Sequence, residues 1–306
     1  MPVSTRLSRP EHLTRSIPAA LSGPLPSISF EFFPPRDDAG EAVLWEAIRR
    51  IEKVHPTFVS VTYGAGGTTR DRTIRVTERI ARETLLTPLA HLTAVGHSVG
   101  EIRGVVGSLS AVGIRNVLAL RGDPQGGPGH PWVKHPEGVD HAEQLVSLVR
   151  SLGSFTVGVA AFPDRHPESP DLDFDAEVLV RKADAGAEYA ITQFFFTRDA
   201  YVGLRDRVAA RGRDIPIVPG LMPVTNVKQL AKMTELSGQP VPASVTSRLE
   251  AVDGDPAAVR EVGVDITTRL AEQLLAEGAP GIHFITMNRS TATLQVFENL
   301  GIAAAR

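Results

Sequence analysis

The sequence predicts an α/β protein folded as a single (β/α)8 TIM barrel with extra helices between strands 7 and 8. Two observations predict it. Short apolar or β-branched runs recur along the 306 residues, each followed by a segment whose apolar positions fall at helical spacing. There are eight such runs, largely apolar throughout, as in a parallel sheet covered on both faces. Eight strand–helix units favour a closed barrel over an open doubly wound sheet, and the length suits one barrel domain of roughly 250 residues or more.

Residues 1–25 are rich in proline, serine and arginine and read as a flexible N-terminal arm, with no apolar run long enough for a signal peptide or membrane helix. Residues 26–306 form the barrel. The strands begin at Ser27 (ISFEFF), Phe58 (FVSVT), Pro88 (PLAHLT), Asn116 (NVLAL), Thr156 (TVGVAAF), Tyr189 (YAITQFFF), Ile215 (IPIVP) and Gly281 (GIHFIT). Between them lie amphipathic helices such as AVLWEAIRRIEKV, DRTIRVTERIARE, HAEQLVSLVRSL, AEVLVRKADAG and DAYVGLRDRVAARG, several ending in the glycine of a helix cap. The interval 226–280 is too long for one helix and divides into three, over Val227–Leu236, Ala243–Val252 and Pro256–Glu277. STATLQVFENLGI closes the chain as a last helix.

Composition excludes several classes of function. Net charge is −3, so there is no electrostatic footprint for nucleic acid or an anionic membrane. The chain has no cysteine, which excludes disulfides, thiolate nucleophiles and cysteine-bound metals and fits a cytoplasmic protein. HPWVKHPEG lacks the ligand spacing of a metal site and reads as a loop; no metal is expected.

In a parallel barrel the chemistry sits where strands end. Strand 2 runs into Thr62-Tyr63-Gly64-Ala65, strand 3 holds His91, strand 4 runs into Arg121-Gly122-Asp123, strand 5 leads to Phe162 and His166, strand 6 carries Gln193, and strand 8 precedes Asn288-Arg289. Polar groups from six strands converging on one rim suggest a site. Each also has a plain reading. His91 suits a satisfied core histidine, GAGGTT a tight turn, and Glu31 a structural ion pair. Glu31 shares a face with Ser29 and Phe33, opposite Phe30 and Phe32, and spacing leaves open which face lines the barrel. If it points inward among phenylalanines, desolvation raises its pKa and makes it a general acid.

SFEFFPPR, FVSVTYGAGG, AHLTAV, LALRGD, VAAFPDRHPES, DAGAEYAITQFFF, PGLMPVT and HFITMNRS, in that order from about Ile28 to Leu300, resemble the flavin-dependent methylenetetrahydrofolate reductases of bacteria. That family's fold is an eight-stranded barrel. The resemblance implies FAD at the C-terminal rim, hydride delivered by NADH or NADPH, and ping-pong reduction of 5,10-methylenetetrahydrofolate to 5-methyltetrahydrofolate, in one-carbon metabolism and methionine synthesis. It implies small-molecule partners and a cytoplasmic homo-oligomer.

By the same resemblance Glu31 is the general acid that lets the folate ring open, and Asp123 the charge that favours the cationic iminium. Gln193, Gln229 and Arg289 match folate-binding positions. Thr62, Tyr63, Ala65, His91, Arg121, Gly122, Asp123, His141, Ala142, Phe162, His166, Asp175, Arg181 and Lys182 match flavin contacts, the cations offsetting the pyrophosphate. There are departures. Phe162 and His141 stand where better-known members have tyrosine, and Met233 where they have an aromatic residue.

Overall fold

The strand-seven run IPIVPG contains two prolines, and proline cannot donate to a sheet ladder. In the computed structural model, which describes residues 11–63, 70–124, 127, 130–238 and 240–302, that run forms two short pieces separated by Pro219. The strands are β1 (Ser27–Phe32), β2 (Phe58–Val61), β3 (Pro88–Thr93), β4 (Asn116–Leu120), β5 (Thr156–Ala161), β6 (Tyr189–Thr192), β7 (Ile217–Val218), β8 (Gly220–Leu221) and β9 (Gly281–Ile285). All pair in parallel, in the order β7-β6-β5-β4-β3-β2-β1-β9-β8. β7 pairs with β6, and β8 pairs with β9. The two pieces of the expected seventh strand thus bring the ends of the sheet together and make a barrel of it. Gly220 is needed there because a Cβ would run into the carbonyl oxygen of Thr192.

The helices are α1 (Glu11–Thr14), α2 (Ile17–Leu21), α3 (Asp38–Glu52), α4 (Arg70–Glu83), α5 (Val99–Ala111), α6 (Ala142–Ser151), α7 (Leu172–Asp184), α8 (Arg198–Ala210), α9 (Val227–Ser237), α10 (Ala243–Glu250), α11 (Pro256–Ala276) and α12 (Thr291–Leu300). The three helices α9 to α11 occupy the long interval before β9, as the spacing predicts. Among the described residues no helix is long and apolar enough to cross a membrane.

Alternation along the strands sorts side chains into two apolar cores. Ile28, Phe30, Phe32, Val59, Ala90, Val117, Val157, Ile282 and Phe284 pack outward with residues of the surrounding helices. Phe58, Leu89, Leu118, Tyr189, Ile191 and Val218 form a second cluster inside the barrel, and Ile17 and Leu21 of α2 join it. The described part of the expected loose arm therefore differs from that expectation: residues 11–14 and 17–21 are helical, and Leu13, Ile17 and Leu21 are buried. Phe58, Leu89 and Tyr189 lie at or next to the first residues of their strands, so α2 plugs the N-terminal mouth. Asn116 Nδ2 donates to the Arg15 carbonyl at 3.3 Å and holds the segment in place. One mouth is thus sealed by apolar packing, and the other is the C-terminal rim.

Candidate active site

At that rim lies a cavity of about 1090 Å³. Glu31 lines it from β1, and the strand's alternation settles which way it faces. Phe30 and Phe32 belong to the outer core, so Ser29 and Glu31 point into the barrel. The register sets Ser29 beside His283 of β9 and Glu31 beside Ser60 of β2. Ser29 Oγ lies 2.8 Å from His283 Nδ1, while His283 Nε2 lies 3.3 Å from Ser60 Oγ and 3.4 Å from Glu31 Oε2. A carboxylate only accepts, so Nε2–H donates to Glu31 and Nδ1 accepts from the Ser29 hydroxyl. His91 Nε2 stands 3.6 Å from the same carboxylate oxygen, near enough for charge but not for a hydrogen bond.

The electrostatics correct the expected pKa of Glu31. Burial pushes its carboxyl up, but the hydrogen bond from His283, the charges of His91 and His283 and a hydrogen bond with Ser60 outweigh burial and hold it below the usual range. Of the three phenylalanines that suggested an oily pocket, Phe30 and Phe32 face away into the outer core and Phe33 lines the cavity. Burial pushes His91 down to about 4, so at neutral pH it is uncharged and the His283 hydrogen bond carries most of the effect on Glu31.

A second staple fixes Glu31 from the main chain. Thr286 donates to the Glu31 carbonyl from Oγ1 at 2.6 Å. Asn288 Nδ2 donates to the Phe33 carbonyl at 2.9 Å, and Asn288 Oδ1 accepts from the Phe33 N–H at 2.8 Å. Met287 and Asn288 adopt left-handed backbone, with φ of 52° and 59°, to turn this corner.

The β4 end supplies Arg121-Gly122-Asp123. Gly122 has φ 86°, and a Cβ there would come within 2.5 Å of Val95 Cγ1. Only glycine lets Asp123 turn into the cavity. Burial raises the pKa of Asp123, with Arg121 opposing. Arg121 is committed elsewhere: both terminal nitrogens donate to Glu168, at 2.6 and 2.5 Å, and its guanidinium lies 4.6 Å from the Trp132 ring centre.

Beyond β5, Phe162 meets the His166 ring edge-on, with centres 4.6 Å apart. His166 Nδ1 accepts from the Glu168 N–H at 3.1 Å, which leaves the ring proton on Nε2; burial keeps its pKa low. Asp175 accepts from the His166 N–H at 2.9 Å and from Ser169 Oγ at 2.6 Å, so it organises this loop. Lys182 is buried, donates to the Ala160 carbonyl at 2.8 Å, and is pushed down to about 8 by burial. Arg181 pairs with Glu177 at 2.6 Å and approaches Glu143 at 3.8 Å.

The cavity thus gathers Glu31, Thr62, Tyr63, His91, Arg121, Gly122, Asp123, His141, Ala142, Phe162, His166, Asp175, Arg181, Lys182 and Gln193. Ala65 lies outside the described residues. Gln229 and Arg289 do not line this cavity: Gln229 sits on the first turn of α9, and Arg289 is exposed beyond β9. Met233 packs against the apolar cluster of Phe194, Leu230 and Val245. Sequence reasoning missed His283, Ser60 and Glu168. The histidine's signal was its place on strand 8, alternating with Ile285, but its partners come from β1 and β2.

A family model described as methylenetetrahydrofolate reductase matches residues 19–301. The chain is 40% identical over 293 residues to the 5,10-methylenetetrahydrofolate reductase of Pectobacterium carotovorum subsp. carotovorum, covering 95% of each chain. It is 38% identical over 276 residues to the enzyme of that name from Escherichia coli (strain K12), covering 90% of this chain and 91% of the other. Among solved structures it resembles an uncharacterized protein from Clostridium thermocellum described as binding two copies of 5-methyl-5,6,7,8-tetrahydrofolic acid. The TM-score is 0.63 at 14% identity, over 95% of this chain and 96% of the other, a likeness of fold.

Proposed function

The chain belongs to the methylenetetrahydrofolate reductase family, and from that premise we propose that it reduces 5,10-methylenetetrahydrofolate to 5-methyltetrahydrofolate with NADH or NADPH as donor and bound FAD as carrier, in a ping-pong sequence. The observation that carries this reading is the carboxylate of Glu31, 14% exposed and bonded to His283, in one cavity with Asp123. In this reading the protein is a cytoplasmic homo-oligomer whose product serves methionine synthesis.

The residues present fit FAD. The volume of about 1090 Å³ lies just above the range for drug-sized ligand sites, roughly 300–1,000 Å³, as a dinucleotide requires. His91 Nε2 and Thr93 Oγ1 are buried on its wall with no hydrogen-bond partner among the described residues, so both have capacity left for a ligand. Lys182 and Arg181 bring positive charge and His166 an N–H to one end, which suits a pyrophosphate. When bound, FAD would supply hydride transfer between the nicotinamide and the folate, one ligand replacing the other.

The chain's own groups handle the proton and the charge. Glu31 Oε2 delivers a proton to the folate nitrogen that departs when the imidazolidine ring opens. The free site holds Glu31 ionised, so the proton must arrive with the substrate: a ring laid over the carboxylate removes its remaining water and raises its pKa. His283 Nε2, at 3.4 Å, donates a hydrogen bond that holds this carboxylate oxygen in place. Asp123 turns its carboxylate into the cavity and stabilises the cation formed as the ring opens. The Gln193 side chain, at the end of β6, offers its amide N–H groups to the folate.

The test is spectroscopic. Purified protein should be yellow, bleach anaerobically with NADH or NADPH, and recover its colour when methylenetetrahydrofolate is added. A colourless protein that reduces folate without flavin would remove FAD from the scheme, and a bleached protein that folate fails to reoxidise would remove the second half-reaction.

A further inference from the structure

The helix α7 presents to the cavity an aromatic ring that the chemistry above leaves unused. Phe174 stands on its first turn and is 38% exposed. Val178 and Arg181 follow at the fourth and seventh positions, and all three line the cavity, as one helical face does. The Arg181 guanidinium lies 5.5 Å from the Phe174 ring centre and is itself held by Glu177 and Glu143. The ring therefore has a cationic neighbour that restrains it. A phenyl ring left in water on a cavity wall forgoes the stabilisation of burial unless something flat covers it.

Its neighbours define what that is. Val178 extends the apolar surface, and Glu143 offers a carboxylate that accepts from sugar hydroxyls. Lys182, two turns along the helix from Phe174, supplies charge for a phosphate group. Glu31, His91 and Asp123 come from β1, β3 and β4, whereas this face follows β5. An aromatic plane, a carboxylate and cations together are the contacts of a nucleoside with its phosphate.

We infer that Phe174 is the stacking surface for the adenine base of the bound dinucleotide, and that it is what makes the site prefer FAD to FMN. The inference rests on the proposal that FAD is the cofactor and adds which residue of this chain reads its nucleotide end.

The experiment titrates full-length protein, freed of flavin, with FAD and with FMN, and follows flavin fluorescence. Wild type should bind FAD more tightly than FMN. Phe174→Ala should lose roughly tenfold in FAD affinity, the scale of one base–aromatic stack, and leave FMN affinity within about twofold. Phe174→Trp should retain FAD affinity, which separates stacking from a loss of fold. Equal weakening of FAD and FMN by Phe174→Ala, unchanged FAD affinity, or a wild type that does not prefer FAD would overturn the inference while leaving a flavin enzyme in place. A wild type that binds neither flavin overturns the cofactor proposal itself, and this inference with it.

Discussion

Glu31 Oε2 and His283 Nε2 lie 3.4 Å apart inside the barrel, on the adjacent strands β1 and β9. Ser29 fixes the far side of the imidazole at 2.8 Å. The pair puts an ionised carboxylate and a proton-bearing nitrogen together at the inner wall of the cavity, beneath the place where a ligand would lie. Removing either partner should have different consequences.

Glu31→Gln keeps the shape and removes the proton. In the proposed ping-pong sequence, reduction of the flavin by NADH should proceed at a rate near that of wild type, because that half-reaction needs no acid. Reoxidation by methylenetetrahydrofolate should slow by a factor of about 10² to 10⁴, the usual contribution of a general acid. Stopped-flow absorbance of each half-reaction measures both. A variant that turns over folate at the wild-type rate would show that the acid is another group.

His283→Asn should move the Glu31 carboxyl upward, because burial stays and the largest opposing contribution is gone. The sign for stability follows. In wild type a depressed carboxyl contributes stability that is present above its unfolded pKa and lost as pH falls through the folded value. In the variant the carboxylate loses a charged hydrogen bond, so stability at pH 7 should drop by about 2 kcal/mol, while little difference remains in acid where Glu31 is protonated. Urea denaturation at the two pH values tests it; equal losses at both would mean that the pair is merely structural.

The sequence carried the strand–helix alternation and the rim, since apolar runs and strand-end polar residues are local signals. It did not carry the break at Pro219, because IPIVP reads as one strand until the backbone of Gly220 must pass the Thr192 carbonyl. Nor could it show the surroundings of Glu31. Three phenylalanines in the run suggested an oily pocket, yet two of them face the opposite side, and the groups that decide the carboxyl's charge lie 29, 60 and 252 positions away, as Ser60, His91 and His283. Short-range pattern gives faces; charge at a buried site depends on register between strands. The α2 plug was hidden for a related reason: five residues are too few to show a period, and burial of Ile17 and Leu21 is decided by the barrel mouth they fill.

His91 gives the protein a specific weakness in acid. Burial pushes it down to about 4, against about 6.5 when unfolded. Between these values the unfolded chain binds a proton that the folded chain does not, so stability should fall as pH drops from 6.5 toward 4. The loss is at most about 3.5 kcal/mol, each pKa unit being about 1.4 kcal/mol. In His91→Gln that part of the slope should vanish. Thermal unfolding of both proteins across this pH range measures it, and parallel slopes would refute the assignment.

Lys182 separates stability from cofactor binding. It is a buried cation whose pKa is pushed down to about 8 from 10.5 by burial and whose ammonium donates to the Ala160 carbonyl. A group depressed in this way makes the fold less stable where it is charged, and stability should rise between about pH 8 and 10.5 as the folded protein sheds the proton before the unfolded chain does. Lys182→Met fills the same space without the charge. It leaves the Ala160 carbonyl without its lysine donor, a loss of about 1 kcal/mol, but removes a larger desolvation penalty. The flavin-free variant should therefore be at least as stable as wild type at pH 7 and lack the alkaline rise. The same substitution removes one of the cations at the proposed pyrophosphate end, so FAD affinity should fall by roughly tenfold or more, in keeping with the loss of a charge-assisted contact. Urea unfolding at pH 7 and 9.5, together with flavin fluorescence titration, reads both effects. A variant that is markedly less stable at pH 7 would mean that the lysine serves the fold, and one that binds FAD as tightly as wild type would mean that the phosphates lie elsewhere.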